Sequence, residues 1–485
     1  MLELGYIPEP PLAFGGDGPH LDVRFGLVDY GPIDQNSRPP GRAITIGVIG
    51  DAPTIEGFLS WLERCSVGIE AKPSRQPSLF PRFPGLGPEG PFRCVFSAPT
   101  ACERLLTMNA LRGVYAADTT DKAVSSAVDT FVEQLVELGE ANLRPDVIVC
   151  ALPLELVQKV TGAVPREPDE DEPEDAPAST VNFRGLLKAR AMSTHMPIQI
   201  VWPTLYDDSA KLRRKLKTSS DRTVEDPASR AWNLFTALYY KANGIPWRLP
   251  RAPEELDTCF VGVSFFRNEA GDQLHTSSAQ LFDERGQGVI LRGGRAARRK
   301  EDRRPYLPRN QARELLAEVL RTYRQQHHNF PARVVLHKTS RFVPEEVEGF
   351  DEALAEAHVD FCDMVWLPRR CEVRLMRLGG YPPLRGTWVR LAEDEAILYT
   401  IGSTPFYRTY PGLYSPNPVL IRRQRGETSV HELAREILAL TKLNWNRARF
   451  DNAKPITVRA SHQVGEVLRY TPHDQAPAQR YSFYM

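Results

Sequence analysis

The sequence predicts an α/β fold in two parts, each organised around its own sheet. Three features predict it. β-type apolar runs alternate with helical patterns through the first half, the second half sets strands first and then alternates helices with strands, and Pro-, Gly- or charge-rich stretches separate them without internal repeats.

Residues 1–42 read as an N-terminal extended segment. The stretch is rich in Pro and Gly, carries extended pieces such as Leu21 to Phe25, and packs along something larger rather than folding alone. From Ala43 a β-type run (Ile44, Ile46, Val48, Ile49) ends at Gly50, and a helix follows with Ile55, Phe58, Leu59 and Leu62 on one face. After the Pro-rich loop Lys72 to Pro91 come a strand near Phe92 to Phe96, a long helix through Val124, Val128, Phe131 and Leu135, and a strand from Asp146 to Leu152. Such alternation predicts a largely parallel sheet covered on both faces. Residues 165–178 are so acidic and Pro-rich that they read as a solvated loop. Helices from Val181 to Met192 and from about Ala228 to Ala242 flank a strand from Ile198 to Trp202. Asn243-Gly244 and Pro246 stop the second helix, closing a domain over 43–250.

Residues 251–485 form the second domain. A strand from Cys259 to Phe266 leads into a hairpin through Asp283 to Gly286. Then come a helix from Arg309 to Arg324, a strand from Arg333 to His337, a helix from Pro344 to Ala357 and further strands to about Arg423. Ser429 with Glu432 starts a helix ending near Leu440. Strands first, then alternation, suit a mixed sheet of ribonuclease H type.

Composition narrows the function classes. The 485 residues are 42% hydrophobic and 25% charged, an ordinary globular balance. The longest apolar run, Val147 to Leu154, is too short to cross a bilayer, and the chain opens without a basic, apolar leader, so the expected location is the cytoplasm, with no membrane partner. Seven widely spaced cysteines without Cys-x-x-Cys argue against a disulfide framework or zinc site. Sixty-one basic and 61 acidic residues cancel, so a polyanion would be held by local clusters. Two exist. Lys211, Arg213, Arg214, Lys215 and Lys217 crowd seven positions; Arg292 to Arg304, including Arg295, Arg298 and Arg299, sets seven cations against two acids. Each cluster alone reads equally well as a solvated face. The partial motif Gly47-Val-Ile-Gly50 lacks the spacing of a dinucleotide site.

The most informative constellation is Arg184, Lys188, Gln199 and Lys241. The first two lie four apart on one helical face, Gln199 lines the next strand, and Lys241 closes a later helix. Converging cations plus an amide donor suit a terminal phosphate.

The strings around these residues resemble a known family. Phe183-Arg-Gly-Leu-Leu-Lys188, Pro197-Ile-Gln199 and Ala231 to Leu249 resemble the MID domain of short prokaryotic Argonautes. Leu440 to Asn446 and Pro455 to Leu468 resemble the end of their PIWI domain, and Ile7 to Phe14 and Phe25 to Pro32 extend the match to nearly the whole chain. The resemblance implies a Rossmann-like MID domain followed by a ribonuclease H-like PIWI domain. It also implies a 5′-phosphate pocket for a guide, with Lys188, Gln199 and Lys241 on the phosphate and Arg184 beside the first base. In many members a divalent cation, expected here as Mg²⁺, and the C-terminal carboxylate, here Met485, complete that pocket.

The same resemblance bears on catalysis. Cutting PIWI domains clamp two Mg²⁺ ions with an Asp-Glu-Asp set plus Asp or His. Here Ser264 stands in the opening strand and Thr339 after the strand ending at His337, leaving His462 as a possible last member. Slicing is therefore expected to be absent, with Glu269, Asp272 and Asp363 as candidates for an unorthodox site. The family reading is a catalytically inactive guide binder holding a 5′-phosphorylated guide RNA, recognising complementary single-stranded DNA, and activating a partner in defence against plasmids or phage. That partner carries an APAZ domain fused to a TIR, SIR2 or nuclease domain. The alternatives are a guide-directed nuclease with a displaced metal set and a plain single-strand-binding module.

Overall fold

The computed structural model describes residues 2–39, 41–160, 181–209, 212, 225–250, 255–281, 288–300, 304–410, 412, 415–449, 452–472 and 475–485. Its principal strands are β1 (Glu3–Tyr6), β2 (Ala43–Gly50), β3 (Val95–Ser97), β4 (Glu103–Leu105), β5 (Val147–Ala151), β6 (Ile198–Val201), β7 (Thr258–Arg267), β8 (Leu274–Leu281), β9 (Gly288–Arg295), β10 (Arg333–Lys338), β11 (Phe361–Trp366), β12 (Thr387–Ala392), β13 (Glu395–Leu398) and β14 (Val419–Arg425). Its helices are α1 (Val23–Tyr30), α2 (Ala52–Val67), α3 (Met108–Ala116), α4 (Thr120–Glu140), α5 (Leu154–Val160), α6 (Phe183–Ala191), α7 (Pro227–Lys241), α8 (Arg309–His327), α9 (Pro344–Glu356), α10 (Val430–Leu440) and α11 (Ile456–Leu468).

Two sheets result. The first runs β3-β2-β5-β6, with β4 also on β2, and every pairing is parallel. β5 is buried along its whole length, as a strand covered on both faces must be. The second has nine strands in the order β1-β12-β13-β14-β11-β10-β7-β8-β9, with parallel pairs only at β7-β10 and β10-β11. This is the mixed α/β architecture expected from the pattern of runs.

Local chemistry explains most helix ends. Asp51, Asn182, Asp226 and Ser429 each accept a backbone N–H in the first turn of α2, α6, α7 and α10. Asn243, with φ of 69°, ends α7 in the left-handed region that asparagine tolerates.

Two local expectations need correction. Leu21 to Phe25 is not extended. Asp22 accepts the N–H groups of Arg24 and Phe25, and α1 then runs to Gly31, whose φ of 72° stops it. A further helix, α3, capped by Thr107, precedes the long helix α4. The N-terminal segment does pack along larger bodies: β1 pairs with β12, and buried Lys442 donates to the carbonyls of Pro10 and Leu21.

Helix α11 lies across β7. A Cβ on Gly262 would stand 2.0 Å from the Thr457 carbonyl oxygen, so only glycine admits the helix there. The acidic loop 165–178, residues 251–254 and the hairpin tip Asp283 to Gly286 lie outside the described residues.

Candidate nucleic-acid terminus site

Four segments distant in sequence meet where the two sheets adjoin. α6 carries Arg184 and Lys188 on one face, β6 carries Gln199, α7 ends in Lys241, and the last residues of the chain return to them. The tail is docked. Tyr481, Tyr484 and Met485 are buried, the Tyr481 hydroxyl donates to Gln463 at 2.6 Å, and the Tyr484 hydroxyl donates to the Ala478 carbonyl at 2.8 Å. Arg292 fastens the chain leading into the tail, donating to the carbonyls of Leu468, Thr471 and Pro472 at 2.8–2.9 Å. β9 adds a backbone bond, Ile290 N–H to Gln479 O at 2.7 Å.

Within this frame the cations are held by few acceptors. Lys188 donates to the main-chain oxygen of Met485, and Lys241 donates to the side-chain oxygen of Gln199. Arg184 donates to the Tyr484 carbonyl at 3.0 Å and stands 3.7 Å from Glu466. Both lysines are almost fully buried, which is uncommon for ammonium groups not paired with an Asp or Glu. Burial, reinforced by Arg184 nearby, pushes the Lys241 ammonium down to about 7, and burial followed by repulsion from Lys241 and Arg184 holds Lys188 well below the ordinary lysine value. An arriving anion would relieve that penalty. The buried Cys150 thiol is pushed up to about 12 by the same loss of water, so it supplies no counter-charge.

Aromatic packing makes the floor rigid. Tyr240 stacks on Trp445 with ring centres 4.9 Å apart; Trp445 Nε1 donates to Trp247 O, and Trp247 Nε1 to Lys442 O. The Ala448 N–H reaches Asn233 on α7, so segments more than two hundred residues apart in the chain clamp the same corner. Glu466 had no sequence signal, and Arg292 was marked only as part of a basic run: α11 and β9 are far along the chain from Arg184, and only tertiary folding brings them near.

The residues considered for catalysis lie elsewhere. Ser264 on β7 is buried opposite Ser277, on the side covered by α11, and its hydroxyl has no hydrogen-bond partner among the described residues. Thr339 follows β10, its carbonyl accepting Trp366 Nε1 at 2.9 Å. His462 on α11 lies 4.0 Å from Glu466. Asp363 is committed to Arg333 and Thr428 at 2.7–2.8 Å, and Asp272 accepts from Asn268 at 2.7 Å. Glu269 is exposed. Among the described residues no three His, Cys, Asp or Glu side chains gather as a metal-binding group.

Of the two basic clusters, Lys211, Arg213, Arg214, Lys215 and Lys217 lie outside the described residues. Arg295 is exposed at the end of β9, while Arg298 and Arg299 sit half-buried at a two-residue ladder against Pro305–Tyr306. Arg292, the cluster's first member, is a tail fastener rather than a groove cation.

No family model matches the chain. It is 21% identical over 302 residues to the Argonaute protein of Aquifex aeolicus, a match spanning 62% of this chain and 38% of that one. Among solved structures, Clostridium butyricum Argonaute bound to a guide DNA and a 19-mer target DNA superimposes with a TM-score of 0.65 and 15% identity, covering 98% of this chain and 54% of that one. Drosophila Piwi gives 0.61 and 12%, covering 99% and 56%. Aquifex aeolicus Argonaute with externally bound siRNA gives 0.56 and 14%, covering 99% and 56%. The chain thus has the fold of the MID and ribonuclease H-like PIWI parts of Argonaute proteins and spans about half the length of these solved relatives. No helix among the described residues is long and apolar enough to cross a membrane.

Proposed function

We propose that the protein is a guide-binding, short Argonaute-like module that holds the 5′-phosphate of a guide, RNA in our reading, and pairs it with complementary single-stranded DNA. The observation that carries this reading is the convergence of Arg184, Lys188, Gln199 and Lys241 beside Met485, with two buried lysines and, among the described residues, no Asp or Glu side chain hydrogen-bonded to either. A phosphate dianion supplies what the lysines lack, and base pairing supplies sequence specificity. A plain single-strand binder would have no use for buried ammonium groups at one oligonucleotide end.

The pocket fits a divalent cation such as Mg²⁺ only together with the guide. The main-chain oxygen of Met485 faces the pocket beside Lys188, and Mg²⁺ is commonly held by a few protein oxygens plus substrate phosphates and water. There the ion would be held by the Met485 oxygen together with the phosphate and would supply charge neutralisation. Arg184, Lys188 and Lys241 position the phosphate themselves.

Loading should depend on pH. The phosphate prefers the ammonium form of Lys241, whose value in the free protein is about 7. Lys188, also held low, adds to the demand, so above pH 7 binding requires proton uptake by both lysines and log affinity should fall by up to about two units per pH unit; below about pH 6 it falls because the phosphate itself takes a proton. Fluorescence anisotropy between pH 5 and 9 tests this, and Lys241→Arg should make the alkaline limb shallower, with Lys188 left as its titrating group.

In this reading the chain does not cut. Among the described residues no metal-binding group of carboxylates gathers near Ser264 and Thr339, and we assign the output to an APAZ-domain partner with a TIR, SIR2 or nuclease domain, acting in defence against plasmids or phage. Guide and target incubated with Mg²⁺ or Mn²⁺ should remain intact. Metal-dependent cleavage abolished by His462→Ala would establish a nuclease with a displaced metal set instead.

A further inference from the structure

The two edges of the nine-stranded sheet are treated differently. At β9 the chain's own tail covers the edge through Ile290 N–H to Gln479 O and the Val289–Arg480 bridge. At the other end β1 pairs only with β12 among the described strands, leaving its outer edge open. An open edge presents unpaired N–H and C=O groups in register for another strand.

The face beside that edge is also incomplete. On the inner side Trp388, Ala396, Leu398 and Ile421 pack under α10. On the outer side Val389, Ile397 and Leu420 cluster with Leu391 of β12 and, among the described residues, are packed against by Cys371 and Leu375 of a loop rather than by a helix. Leu4 lies opposite Val389 in the ladder and so continues this outer face, yet it is 70% exposed. Met376 and Leu378, on the loop that supplies the cover, are 83% and 101% exposed. Apolar side chains at such exposure, next to an unpaired edge, mark an interaction surface.

The charge of that loop selects the occupant. Residues 369–381 contain four arginines against one glutamate, and Arg370, Arg374 and Arg377 are exposed. A second copy would bring like charges together. A nucleic acid would leave the peptide groups of β1 unmatched and would meet mostly aliphatic rather than aromatic side chains.

We infer that the β1 edge and the 369–381 loop dock a separate protein chain, which adds an apolar β-strand to the sheet beside β1 and sets carboxylates against the loop arginines. The inference rests on the reading that output lies in a partner chain, and it places that partner's contact at the sheet end remote from the phosphate site. Guide binding and partner docking can then be tested apart.

The probe is a synthetic strand peptide of alternating valine and threonine with two glutamates at each end, titrated by fluorescence anisotropy against the full chain. Expected are saturable binding, slowed amide exchange at residues 3–6, and a weakening of about tenfold in Leu4→Asp and in the double variant Arg374→Glu, Arg377→Glu. The same peptide with a central proline should not bind. All three substituted side chains are exposed, so the variants should fold and keep the wild-type preference for 5′-phosphorylated guides. No saturable binding, or binding indifferent to both variants, overturns the docking surface. Self-association of the chain that Leu4→Asp abolishes assigns the edge to a second copy and also overturns it, as does displacement of the peptide by a 5′-hydroxyl oligonucleotide. Absence of a 5′-phosphate preference in the wild type would sink the guide reading, with the peptide result unaffected.

Discussion

Lys188→Ala is expected to weaken binding of a 5′-phosphorylated guide by about tenfold to a hundredfold while changing 5′-hydroxyl guide affinity by less than about twofold. The range follows from charge-assisted hydrogen bonds, worth about 1.5–3 kcal/mol, at about 1.4 kcal/mol per tenfold. Lys188 is buried on α6 with Met485 as its acceptor, so no neighbouring solvent-exposed cation can swing in to replace it. Arg190, exposed on the same helix, is the control, and its alanine variant should bind both guides as the wild type does. Lys241→Ala should behave like Lys188→Ala and leave Gln199 without its donor. Equal losses for both guide types would point to a disturbed fold rather than a missing phosphate contact. Filter binding with both guide types separates the two.

The largest stability effect should come from Glu346→Ala, which is expected to cost about 3–5 kcal/mol. Its carboxylate and the Lys338 ammonium form an ion pair with both side chains fully buried between β10 and α9. The same carboxylate accepts Leu307 N–H at 2.8 Å and Val343 N–H at 2.9 Å, so its loss strands two backbone donors together with the charge. Rings of Phe265 and Phe342 surround the ammonium at 5.5 and 4.8 Å and exclude water. Urea unfolding should show a lowered midpoint at unchanged slope. The double change Lys338→Met, Glu346→Leu should recover only the part of the loss that comes from the unpaired ammonium, because the Leu307 and Val343 N–H groups still lack their acceptor. Guide preference should survive wherever the variant is folded, since the pair lies in the PIWI-like core and the phosphate site does not.

Periodicity exposed the long elements and hid those set by tertiary contact. The helix expected from about Ala228 to Ala242 runs from Pro227 to Lys241 because its cap, Asp226, and its stop, Asn243, are local chemistry. Helix α1 escaped because its cap and its glycine stop sit in a Pro- and Gly-rich stretch that otherwise signals loop. The strand order could not be read at all. β1 pairs with β12 across most of the chain, and no local pattern specifies a partner so distant. At the site, Arg184 and Lys188 were legible from spacing alone, whereas Gln199 and Lys241 were singled out by residue type and by the family strings around them. Arg292 was legible only as a member of a basic run. Its use as a clasp on three carbonyls depends on where the tail returns, which charge patterning does not encode.

The central claim is that four dispersed side chains grip one terminal phosphate. The most direct measurement is a crystal structure of the full chain with a short 5′-phosphorylated oligonucleotide. The account predicts the terminal phosphate within hydrogen-bond distance of Lys188, Gln199 and Lys241, with Arg184 beside the first base and Met485 next to the phosphate. An oligonucleotide bound with its 5′ end elsewhere, or bound along the sheet with those lysines still turned to Met485 and Gln199, would contradict it.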